Sequence, residues 1–357
     1  MSRSGFQKET LIKLKEYWRT KIREESYWRR FTMSSRFAYK MTKSIDFLDR
    51  GTTLWWGCRS FKVFGICRQE LCPEEGTSSD EEYLNVSVSQ EAIDDGYNHR
   101  AYAYRRLYTI EDTEIALCLD PGIMLSFDIF PDTYDAPEGK LTLPIPQEKS
   151  DEIHSVFVYG YDRKEEIFKF SNSWGKEWGD EGNGTIPYDY FKNGLIPEAW
   201  TILSEDKWHK HSIKIFEEIF NAKDNKKYTI KQFSIKREAY GYSGQIIIDI
   251  FNSENKICGW AHINPRSIDD FELEEIYLLP KYQNIGLGKK ILEIIDSIAK
   301  NFNAIKIYGY ISSQDIIREK EERVKDFFLG SGYSVILNYN KFRDCRYKIE
   351  KLSTINT

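Results

Sequence analysis

His154 opens the apolar run HSVFVYGYD, and Asn172 follows 18 residues later at the head of NSWGKEWGDEGNG. That spacing suits thiol chemistry. An imidazole that holds a thiolate as an ion pair must be oriented from its other nitrogen, and a side-chain amide on the next strand does this. Trp174, two residues further on, would shield the His–Asn hydrogen bond from water and strengthen it. Taken alone, a strand histidine and a turn asparagine need no catalytic reading. The cysteine that draws the eye is Cys58, set among aromatics in TLWWGCRSFKVFG.

A second constellation lies in YLLPKYQNIGLGKKIL, where Gln283, Gly286 and Gly288 lead from an apolar strand into a helix striped with Ile291, Leu292, Ile295 and Ile298. Backbone N–H groups and the positive helix end then converge on one point, which suits a pyrophosphate. Glycine is required there because a side chain would block close approach and because the turn calls for positive φ. A purely structural turn has the same look. Just upstream, Glu272, Glu274 and Glu275 are carboxylates able to take a proton from an amine, or equally solvated strand residues.

The elements that must carry these groups divide into two series. Residues 9–31 space Leu11, Leu14, Trp18 and Ile22 at helical steps, a second helix is expected over about 34–44, and Thr52 or Thr53 caps a third that contains Cys58 and stops near Gly65. From Ile123 short apolar or alternating runs separated by turns predict strands. After EAWTIL the chain turns polar, so the boundary is expected near Leu203. The second series reads as a helix in SIKIFEEIFNAK, a strand at 228–235, a hairpin-like pair, the strand FELEEIYLLP, a helix over about 286–301, a strand, a helix to Leu329 and a final strand pair.

With 357 residues there is room for two cores, since a domain takes about 100 to 200 residues. Hydrophobic residues at 41% and charged residues at 30% describe a globular protein. A net charge of −5 gives no field for nucleic acid, and the 12 Lys and Arg against 4 Glu over residues 1–45 read as a solvated helix face. Six scattered cysteines form no disulfide scaffold, no run approaches the ~18 apolar residues of a membrane span, and the amino terminus has no apolar signal core. Neither metal, nucleic acid nor membrane is expected as a partner, and the setting is expected to be cytoplasmic.

The first series resembles the papain-like cysteine peptidases over roughly residues 10–203. HSVFVYGYD is similar to that family's histidine strand and NSWGKEWGDEGNGTIPYDYF to its Asn–Ser–Trp–Gly signature. The resemblance gives His154 the general-base position, Asn172 the orienting position and Trp174 the shielding one. GTTLWWGCRSFKVFGICRQELCP resembles a segment that lies well downstream of the family's nucleophile, and MSSRFAYKMTK one that follows it, so Cys58 is read as a packed helix cysteine. The nucleophile is then expected around residues 4–9, where no cysteine stands, and the family's oxyanion glutamine before the first residue; Ser4 is the nearest hydroxyl. This half reads as a truncated or degenerate peptidase, or as one whose start is incomplete.

The second series, about residues 205–352, resembles the GNAT acetyltransferase superfamily. IYLLPKYQNIGLGKKIL is similar to its acetyl-CoA motif, and VKDFFLGSGYSV to its closing element. The resemblance implies that Gln283, Asn284, Ile285, Gly286, Leu287, Gly288 and Lys289 hold the CoA pyrophosphate, and that backbone groups of Tyr277, Leu278 and Leu279 bond the pantetheine arm. It also implies direct acetyl transfer to an amine, with Glu272, Glu274 or Glu275 as base. The family's acid tyrosine falls on Phe328, which leaves Tyr308, Tyr310 or Tyr333 as donors without a choice among them.

The expected molecule is therefore α+β in two domains, papain-like over 1–203 with a helical part and an antiparallel β part, then a GNAT mixed sheet with flanking helices over 204–357. Its expected work is acetyl-CoA-dependent N-acylation of an amine-bearing small molecule, peptide or protein, beside a module that binds peptide. The alternatives are a cysteine peptidase with an accessory transferase domain, and a non-catalytic binding protein of two decayed folds.

Overall fold

The computed structural model describes residues 33–46, 51–73, 85–120, 122–145, 149–150, 152–236, 244–312, 320–338 and 345–352. The helix expected over 9–31 and the nucleophile expected around 4–9 lie outside the described residues. By its internal contacts the chain divides into two compact units, Met1–Trp208 and His209–Thr357.

In the first unit, helix α1 (Ser35–Lys43) is capped by Ser34, whose Oγ accepts the Phe37 N–H at 3.0 Å. Helix α2 (Leu54–Val63) is capped in the same way by Thr53, which accepts from Trp56 N–H. Helix α3 (Gln90–Asn98) starts behind Ser89. Such caps stabilise a helix by about 1 kcal/mol each because they satisfy amides that the helix cannot. After them come β1 (Ala103–Arg106), α4 (Ile110–Leu119), β2 (Ile123–Ile129), β3 (Glu152–Asp162), β4 (Ile167–Ser171), β5 (Asn183–Pro187) and β6 (Glu198–Leu203). The six strands form one antiparallel sheet in the order β1-β6-β2-β3-β4-β5. Leu125, Phe127, Val156, Val158, Phe168 and Phe170 are buried on it in a single cluster.

The second unit contains β7 (Ser212–Asn221), β8 (Lys227–Ile235), β9 (Ile246–Phe251), β10 (Ile257–Pro265), β11 (Asp270–Leu278), α5 (Leu287–Asn301), β12 (Lys306–Ser312), α6 (Glu321–Leu329), β13 (Ser334–Leu337) and β14 (Cys345–Leu352). Its eight-stranded sheet runs β13-β14-β12-β11-β10-β9-β8-β7, antiparallel except for the parallel pair β11 and β12 that α5 joins. Leu287, Ile291, Leu292, Ile295 and Ile298 of α5 pack on Ile248, Ile250, Ala261, Ile263 and Leu273, and each such side chain contributes about 1.5–3 kcal/mol by leaving water.

One expectation fails here. SIKIFEEIFN is a strand, not a helix. Its pairing with β8 shifts register between Lys214 and Phe216, and that bulge breaks the two-residue alternation, so that apolar side chains fall at helix-like intervals.

Candidate active sites

In the first unit, β3 carries His154 and the end of β4 delivers Asn172. The His154 Nε2 and Asn172 Oδ1 atoms lie 2.9 Å apart, and both residues are buried. Asn172 Oδ1 also accepts the Ser173 N–H at 2.8 Å, which identifies it as the oxygen of the amide. The imidazole must then donate from Nε2, so in the neutral ring Nδ1 carries the lone pair that a base needs. Trp174 lies over the imidazole with ring centroids 4.6 Å apart. Tyr134 stacks on Trp174 at 5.4 Å, Trp178 meets it edge-on at 5.3 Å, and Phe127 closes the imidazole edge at 5.7 Å. The aromatic wall keeps water off the His–Asn pair. Tyr134 was not legible in the sequence, because it lies 40 residues from Trp174 and carries no motif of its own. Cys58 is fully buried within α2.

Beside this site, the carboxylate of Glu198 on β6 accepts the Trp55 N–H at 3.2 Å, in the first turn of α2. Burial holds its pKa above the ordinary glutamate value, against the pull of the Arg106 charge and of the Trp55 amide.

In the second unit, β11 and β12 pair only from Asp270–Leu273 against Lys306–Gly309 and then separate, while β12 stays paired to β14 as far as Ser312. The result is a gap beside the last half of β11. Beyond it, Gly286 stands at φ 95° as the N-cap of α5, and the first helical bond runs from Lys290 N–H to Gly286 O at 3.1 Å. The N–H groups of Leu287, Gly288 and Lys289 therefore have no acceptor inside the helix. A Cβ placed on Gly286 would meet the Lys223 and Phe220 side chains at 3.8 Å, an ordinary contact, so it is the positive φ that calls for glycine here. Gly288 serves differently: a Cβ there would press to 3.0 Å on the Phe327 ring.

The residues assigned to a pantetheine arm do not all face the gap. Leu279 donates its N–H to Cys258 O at 3.0 Å and accepts the Tyr282 N–H at 2.8 Å. Strand alternation turns Tyr277 toward β10 as well, and leaves Leu278 as the one of the three whose N–H is directed to the gap. Gln283 is likewise held by the protein, its Nε2 donating to Leu278 O at 3.2 Å.

The three glutamates are also sorted by the fold. The β10–β11 register passes from His262↔Glu275 to Ile263↔Leu273, so Glu274 is an extra residue and Glu272 and Glu275 share a face. Simple alternation would have paired Glu272 with Glu274. Glu272 is buried against Arg266, which donates to it at 2.6 Å. Glu274 accepts from Gln245 Nε2 at 3.1 Å, and Glu275 accepts the Trp260 indole N–H at 3.0 Å with His262 Nδ1 at 3.8 Å. Phe328 is core, edge-on to Tyr333, and Tyr333 is itself buried there with its pKa raised by that burial. Tyr308 and Tyr310 stand on β12, their rings 6.2 Å apart.

Comparison with known proteins finds likenesses of both kinds. Residues 206–315 match the model of the Acetyltransferase (GNAT) family. An uncharacterized peptidase C1-like protein of Acanthamoeba polyphaga mimivirus is 25% identical over 175 residues, 45% of this chain, and the match spans about half of that relative, 54%. Among solved structures, xylellain, a cysteine protease from Xylella fastidiosa, is similar with a TM-score of 0.47 and 21% identity over 54% of this chain and 78% of its own. The PaiA N-acetyltransferase of Thermoplasma acidophilum, solved with coenzyme A, is similar with a TM-score of 0.25 and 18% identity over 30% of this chain and 60% of its own. The chain thus carries a domain of the GNAT acetyltransferase family across residues 206–315, joined to an amino-terminal half similar to C1-type cysteine peptidases.

Proposed function

We propose that the protein is an acetyl-CoA-dependent N-acyltransferase that moves an acetyl group directly to an amine, and that its papain-like half captures or positions a peptide acceptor. The observation that carries this reading is the turn at Gly286: a positive-φ cap that leaves the N–H groups of Leu287, Gly288 and Lys289 for an anion. A pyrophosphate fits that cradle, and a thioester arm fits the gap beside β11. Acetyl-CoA, when bound, supplies the activated acetyl thioester. The chain's own part is to hold the phosphates at 286–289, to bond the arm at Leu278, and to receive the ammonium proton. Glu272, Glu274 and Glu275 are the candidates for that last role, the first engaged by Arg266, the second by Gln245 and the third by the Trp260 indole.

The acceptor is a small-molecule amine or a peptide or protein amine, in the cytoplasm. Among the described residues no helix is long and apolar enough to cross a membrane. The test is a calorimetric titration with acetyl-CoA. Saturable binding that is lost in Gly286→Glu, whose side chain brings both bulk and negative charge into the turn, supports the reading; no binding by the unaltered chain overturns it.

One observation favours a second reading, a cysteine peptidase with an accessory transferase. The His154–Asn172 pair is set with the tautomer that a thiolate partner requires. Hydrolysis of a fluorogenic peptide amide that disappears in His154→Ala would establish it, and absence of hydrolysis by the unaltered chain leaves that half a binding module.

A further inference from the structure

The loop over 283–286 is tied to a different element at nearly every residue. The Gln283 Nε2 reaches back to Leu278 O at the end of β11. Ile285 O accepts the Lys223 N–H, from the turn between β7 and β8, at 3.0 Å. Gly286 O accepts from Lys290 in α5. The remaining tie comes from α6, where one Arg323 amino group donates to Gln283 Oε1 at 3.1 Å and to Asn284 Oδ1 at 3.0 Å. One helical turn later on the same face, Phe327 is the ring against which Gly288 fits.

We propose that Arg323 is a positioning residue for the phosphate-binding turn, acting through the Gln283 and Asn284 side chains and not on the reacting atoms. This rests on the reading of that turn as an acetyl-CoA site. The physical case is one of preorganisation. Asn284 at φ 62° and Gly286 at φ 95° are two left-handed residues within three, a conformation that an unsupported loop samples together with many others. Arg323 bridges the two amide oxygens from across the fold, and so selects the arrangement in which the amides at the start of α5 point one way. With Arg323 and Phe327 at positions i and i+4, α6 holds the loop and the first turn of α5 in one register, so the docking of α6 is part of the site although α6 contributes none of its amides.

The test uses the full chain and acetyl-CoA, with a double-mutant cycle of Arg323→Ala and Asn284→Gly. Glycine at 284 deletes the side chain without opposing the positive φ. The expected result is an increase in Kd of about tenfold for Arg323→Ala, the scale of hydrogen bonds from a charged donor. Asn284→Gly should add little once Arg323 is gone, while the thermal midpoint stays near that of the unaltered chain. Unchanged affinity in Arg323→Ala, or effects of the two substitutions that simply add, would overturn the proposal. So would affinity losses that follow losses of thermal stability, since α6 would then only hold the domain together. If the unaltered chain does not bind acetyl-CoA, the reading of the site falls first and this inference with it; if it binds and Arg323→Ala binds equally, only the inference falls.

Discussion

Asp128 is half-buried on β2, next to the strand that carries His154, and burial raises its carboxyl pKa above the ordinary aspartate value. Burial is the cause. The consequence for stability has a definite sign. The unfolded chain ionises Asp128 near pH 3.9 and the folded chain only at higher pH, so folding is favoured while the group is protonated, and stability declines as the pH rises from 3.9 through the folded value. At neutral pH the whole penalty is present. Asp128→Asn keeps the shape and removes the charge, and is expected to raise stability at pH 7 by roughly 0.5 kcal/mol. The gain should vanish near pH 3, where both side chains are neutral. Denaturant melts of the two proteins at both pH values check this, and an Asn variant that is less stable than Asp at pH 7 would mean that the carboxylate has a partner worth more than its burial cost. His154, on the neighbouring strand, is buried against Asn172 and an aromatic wall.

At the scale of elements, what the sequence made legible was local. The strand, glycine turn and helix around 276–301 could be read because every signal lies within a few residues of the next, and Thr53 announced its helix in the same way, whereas the helix behind Ser89 was not read. Four features were not legible. The bulge in β7 disguised a strand as a helix, and the bulge at Glu274 moved Glu275 onto the face of Glu272, because a single extra residue inverts every later assignment in a strand. The Arg323 contacts span 40 and 39 residues, and the loop they hold shows no trace of them in its own composition. Tyr134 on Trp174 is a contact of the same distant kind. Pattern reading finds sites built along the chain, and misses partners that the fold brings from elsewhere.

For the whole molecule, the two units each bury a core of their own. One cluster draws on residues from Leu107 to Ala199, the other on residues from Ala222 to Ile349. Among the described residues the two cores draw on separate stretches of chain, so the chain is not expected to unfold in a single two-state step. Scanning calorimetry should therefore resolve more than one transition. If the turn at Gly286 binds acetyl-CoA, ligand at 100 times its Kd adds about 2.7 kcal/mol to the transferase unit alone. For a unit the size of His209–Thr357 this corresponds to a rise of roughly 5–10 °C in one transition, with the other left where it was. Gly286→Glu should abolish the rise without merging the transitions. One transition that ligand moves as a whole would instead mean that the two units unfold as one cooperative body.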